Sequence, residues 1–119
     1  LSVLVFVALD PVKRFADARN SRRWADANNI LNAVDTYMVD NNGFFPAGLD
    51  TNTPVAELGS CNGCINLSGP LAPHLKYMPK DPIGGTTANT NYSIEVNEDN
   101  IVTVYANNAE NSIDIQVSR

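Results

Sequence analysis

The chain has 119 residues, an apolar fraction of 44% and a net charge of -5, which bounds it to one domain with an ordinary globular composition. The charge is unevenly placed. Lys13, Arg14, Arg19, Arg22 and Arg23 face a single acid, Asp17, between positions 12 and 23, whereas the stretch from Trp24 onward holds eleven acids and three bases. A surface that acidic would repel phosphate, which weighs against nucleic-acid binding and leaves the basic stretch as a solvated helix face or as a head-to-tail contact between subunits.

In chain order, the first element is an apolar stub, Leu1 to Leu9, which leads into a helix with Asp10-Pro11 as the only punctuation. The stub is shorter than the roughly twenty apolar residues that cross a bilayer, and it lacks the basic start and cleavage site of a signal peptide. The reading is that Leu1 lies inside a longer hydrophobic helix. Pro11 either kinks that helix or begins a fresh one behind an Asp10 cap. Trp24, Ala27, Leu31, Val34 and Met38 then step by three and four residues, an amphipathic face presented to a core. Asn41-Asn42-Gly43 ends the helix and Pro46 prevents its renewal. From the chain start this gives a helix of about 60 Å at 1.5 Å per residue, too long for a small body to cover throughout. Residues 1–23 are therefore expected to protrude, and residues 24–119 to form a globular head.

Residues 43–70 read as a loop rich in Gly, Asp, Thr, Asn and Pro. Cys61 and Cys64 lie within it, in GSCNGC. An exported protein would join them in a small disulfide, while redox or zinc chemistry lacks the surrounding βαβ pattern and the further ligands it needs. Pro70 to Tyr77 can hold a helical turn or two, and Met78 to Pro82 is a rigid extended connection. Three β-runs follow within 91–118: Tyr92, Ile94 and Val96; Ile101 to Tyr105; and Ile113, Ile115 and Val117. They predict a three-stranded antiparallel meander, with the helix as cover for its apolar face. The fold class is α+β, one long helix laid on a small sheet.

No catalytic pattern emerges. His74 has no signalled partner, no serine sits at a strand-to-helix elbow, and Gly84-Gly85 is a turn rather than a phosphate loop. Asn97-Glu98-Asp99-Asn100 reads as a hairpin tip rather than a calcium loop, since it lacks the required alternation and Gly. Asn66-Leu67-Ser68 and Asn91-Tyr92-Ser93 fit the glycan acceptor triplet. No cofactor and no metal are expected.

Ala16-Asp17-Ala18-Arg19-Asn20-Ser21-Arg22-Arg23, followed by Ala25-Asp26-Ala27-Asn28, resembles the neck of bacterial type IV pilins and pseudopilins. Ile30 to Pro46 (ILNAVDTYMVDNNGFFP) is similar to that family's helix end, and Tyr77 to Pro82 (YMPKDP) to the element before its sheet. The resemblance spans nearly the whole chain. It departs at the start, where the family has a cleavage motif, an N-methylated first residue and a Glu at the fifth position. By the resemblance about fifteen residues precede Leu1 in the mature protein.

The resemblance implies a non-enzymatic subunit of an extracellular cell-surface filament, anchored in the inner membrane before assembly. Its partners would be copies of itself and the pilus assembly machinery. Leu1, Val3, Leu4, Val5, Phe6, Val7, Leu9, Val12 and Phe15 would form the assembly core, and the five basic neck residues would meet neighbouring subunits. A secretion-system pseudopilin and a membrane-tethered binding module with 43–70 as its ligand loop are the alternatives.

Overall fold

The computed structural model describes residues 11–119. Helix α1 spans Pro11–Asp40. Its head-facing line is Ala16, Asn20, Arg23, Ala27, Ile30, Leu31 and Val34, the three-and-four spacing that returns side chains to one face. The helix stops where Asn42 and Gly43 turn left-handed, at φ 59° and 85°. There the Gly43 N–H donates to the Met38 carbonyl at 2.7 Å and satisfies an orphan of the last turn. The stub positions Leu1, Val3, Leu4, Val5, Phe6, Val7 and Leu9, and the choice between a kink and a break at Asp10-Pro11, lie outside the described residues.

Four strands follow: β1 at Ala56–Glu57, β2 at Tyr92–Val96, β3 at Val102–Ala106 and β4 at Gln116–Ser118. They form one antiparallel sheet in the order β1-β2-β3-β4. The expected meander of three strands is thus extended by a fourth, the two-residue β1, which pairs Ala56 with Ile94 and Glu57 with Ser93. The last strand also begins later than its alternation suggests, because only Thr103, Val104 and Tyr105 of β3 pair with it. Ile113 is left exposed while Ile115 is buried.

Helix α1 packs chiefly on β3 and β4. The rest of the core comes from the long connection: Leu49, Leu58, Leu67 and Leu71 are buried and join the same cluster as Ile30, Leu31, Val34, Ile94 and Val104. Each such aliphatic side chain contributes about 1.5–3 kcal/mol relative to exposure. The 43–70 stretch is therefore a core-forming layer with its own strand and a Leu58–Ile65 bridge. Residues 71–75 make helix-like turns, with Leu71 and Leu75 donating to the carbonyls four residues earlier.

Two expectations change. Trp24 is 39% exposed and lies outside the core cluster, and Met38 is only half-buried against it. The contact face is rotated toward Arg23 and Ile30, so Ala27, Leu31 and Val34 remain in it while Trp24 falls to its side. The head also starts earlier than residue 24, since Ala16 and Asn20 are 5% and 3% exposed.

Candidate functional site

Arg23 organises the region where the neck enters the head. Its side chain is 1% exposed, and that of Asp81 is fully buried. The guanidinium donates from Nε to Asp81 Oδ2 at 2.7 Å and from Nη2 to Asp81 Oδ1 at 3.0 Å, a bidentate fork. Its Nη1 donates to Asn20 Oδ1 at 3.0 Å and to Glu110 Oε2 at 2.5 Å. Arg19 donates from Nε and Nη2 to the same Glu110 carboxylate at 2.7 and 2.6 Å. Asn20 closes the set by donating to the Glu110 carbonyl at 2.8 Å and accepting from the Glu110 N–H at 2.9 Å.

The local chain makes this possible. Spacings of three and four residues put Arg19, Asn20 and Arg23 on neighbouring turns of one helical face. Asp81 is held by backbone: its N–H donates to the Thr90 carbonyl, and its Oδ1 accepts from the Ile83 N–H, both at 2.8 Å. A Cβ on Gly85 would come within 2.4 Å of the Asp81 nitrogen, so only glycine lets the 81–85 turn close this tightly. Among the described residues, no buried polar side-chain atom lacks a partner.

The electrostatics follow from those contacts. Hydrogen bonds from Arg19 and Arg23 lower the Glu110 pKa to about 2. Asp81, ahead of Glu110, raises that of Arg23, and Glu110 raises that of Arg19. All three groups stay charged over the physiological range. Nearby, burial followed by the hydrogen bond to Asp26 raises the Tyr92 hydroxyl above its usual value; the bond itself is 2.8 Å. The cluster has the chemistry of a lock, with Arg23 and Asp81 paired to each other and closed off from solvent.

This corrects the expected role of two neck cations. Arg19 and Arg23 are engaged within their own chain, because the head reaches down to them through Asp81 and Glu110. Arg22 stays 62% exposed, with Asp26 at 3.7 Å. Lys13 and Arg14 are exposed, as are Val12 and Phe15 at 75% and 64%. Asn111 tethers this end by donating to Asp17 Oδ1 at 2.7 Å. No helix among the described residues is long and apolar enough to cross a membrane.

Cys61 and Cys64 are joined in a disulfide with a Cα separation of 5.1 Å. The stapled loop lies against 87–88, where Ser60 and Cys61 donate to the Thr87 and Ala88 carbonyls. His74 stands 3.6 Å from Asp40. No group of metal-binding side chains occurs among the described residues. Asn20, Asp81 and Glu110 carry no site role in the sequence reading, and only the excess of acids over bases in the head hinted that the neck cations had partners there.

Comparisons with protein-family models, with curated proteins and with solved structures find no match for this chain.

Proposed function

We propose that the chain is a structural, non-enzymatic subunit of a type IV pilus-like extracellular filament. The observation that supports this best is the division of α1. From Ala16 onward one face is seated in the head, while Val12 and Phe15 at its start are exposed apolar residues. They continue the apolar sequence of Leu1 to Leu9. An exposed apolar face such as that of Val12 and Phe15 is served by lipid before assembly and by the helices of other copies afterwards. Helices bundled this way, through a contact that does not close on itself, give an open polymer with the heads as its outer wall.

Electron microscopy of fibres sheared from the native cell surface tests the proposal. Fibres made of this chain, with α1 at their centre, are the expected result. Phe6→Glu and Phe15→Glu should abolish fibres and leave the head folded, as judged by intact circular dichroism and retention of the disulfide. Normal fibres from both variants would sink the reading, as would native fibres that lack the chain.

A further inference from the structure

The two lateral flanks of the head carry opposite and complementary surfaces. In a sheet ordered β1-β2-β3-β4 the outer edges are β1 and β4. The 68–87 connection, whose Thr87 carbonyl accepts from the Ser60 N–H just past the end of β1, forms a depression of about 220 Å³, floored by Leu71, Leu75 and Met78. Its rim carries Tyr77, 73% exposed, together with Lys76 and Lys80. These are the chain's only lysines after Lys13. The other two cations after Arg22 are taken, Arg23 in the lock and Arg119 by Asp35 at 2.6 Å. An otherwise acidic head therefore carries an apolar hollow whose edge is basic.

The opposite flank is the converse. Before β4 the chain turns through Asn111 and Ser112, both left-handed at φ 58°, and leaves Ile113 43% exposed beside exposed Asp114. Other carboxylates of this end are occupied: Glu110 by Arg19 and Arg23, and Asp26 by Tyr92. Asp114 accepts only a long 3.3 Å bond from its neighbour Gln116. An exposed aliphatic residue next to an exposed acid is what a lysine-rimmed apolar hollow recognises.

Resting on the filament reading, we infer that the Leu71–Leu75–Met78 hollow of one copy receives Ile113 of a second copy, with Lys76 and Lys80 facing its Asp114. The contact joins different flanks, so it is heterologous and leaves one hollow unused at one end of a row and one Ile113–Asp114 turn unused at the other. The flanks also differ in height. Lys80 adjoins Asp81 and so stands level with Arg23, whereas Ile113 follows the turn held by Asp17 and Arg19. Leu71 and Leu75 also flank His74, which stands against Asp40, so the hollow lies farther toward the C-terminal end of α1 than the turn does, and that offset lifts each added copy along the axis. Such a row climbs as a helix and cannot close as a flat ring.

Carbodiimide coupling, which joins a lysine amine to a carboxylate at contact distance, tests the pairing on intact fibres grown from mixed light- and heavy-nitrogen cultures. Mixed-isotope peptides joining Lys76 or Lys80 to Asp114 are the expected result. Coupling to Glu98 or Asp99 instead, or to another protein, would overturn the assigned occupant. Intact fibres with no such link would overturn the contact and leave the filament reading standing, whereas absence of the chain from fibres defeats both. Charge exchange gives a second readout. Asp114→Lys should lower fibre yield about tenfold through like-charge repulsion, and adding Lys76→Asp and Lys80→Asp should restore most of it. Failure of that triple variant to recover, with its head folded, would also count against the pairing.

Discussion

Along α1, Ala27, Ile30, Leu31 and Val34 meet the head through carbon, whereas Arg19, Asn20 and Arg23 meet it through hydrogen bonds to Asp81 and Glu110. The two grips differ in tolerance. Apolar packing accepts other side chains of similar volume, at less than about 1.5 kcal/mol for conservative exchanges. The polar grip is least tolerant at Arg23 and Asp81, where each satisfies a group that is otherwise buried and unpaired. The carbon half supplies affinity for the sheet. The polar half fixes where along its axis the helix is held.

That contrast can be broken most sharply at Arg23. Replacing it by Met removes the fork to Asp81 and the bond to Glu110; it strands the fully buried Asp81 carboxylate and should destabilise the head by about 3–5 kcal/mol in urea unfolding. Adding Asp81→Asn should recover part of the loss, since the stranded charge and not the missing volume is its cause. If the single variant unfolds like the parent, the polar grip is ornamental. Leu31→Ala, in the carbon half, should lose about 2–5 kcal/mol for the removed contacts and the cavity they leave. Its loss should be the same at pH 3 and pH 7, because no titrating group is involved.

The smallest effect, and the one that separates the halves by chemistry, lies in the acid limb. Glu110 has its pKa lowered from the ordinary 4.5 to about 2 by its two arginine partners. A depressed carboxylate contributes stability above its unfolded value and loses it as pH falls through the folded one. The parent should therefore weaken between about pH 4.5 and 2. Glu110→Gln should be less stable at neutral pH and flatter across that window, as read by thermal unfolding at several pH values. An unchanged acid limb in the variant would mean that other carboxylates set it.

Much of this was legible in the chain. The stripe Ala27, Leu31 and Val34 and the β-branched runs of β2 and β3 declare themselves, because burial imposes a period and the period survives in the residue types. The misses share a cause. Arg23 occupies a core-facing position, but a hydropathy pattern counts it as surface and runs the face through Trp24 instead. Its partners Asp81 and Glu110 are 58 and 87 residues away, and no local spacing links them. Strand β1 is two residues, Ala56 and Glu57, without alternation; it exists through its register with β2. Leu49, Leu58 and Leu67 are spread too widely to show a period, which hides a core layer inside an apparent loop.

The wide separation of the lock's members also sets a timetable. Arg23 is near one end of the sequence, and its partner Glu110 is supplied only after β3 has been made. Contacts this distant in sequence must be closed against chain entropy and are characteristic of late, slow events. While the chain emerges from its N-terminal side, the face from Asn20 to Val34 has no sheet to lie on and Arg23 has no carboxylate to hold. The head is thus obliged to wait for its closing segment, and during that interval its helix is the part most in need of a temporary escort.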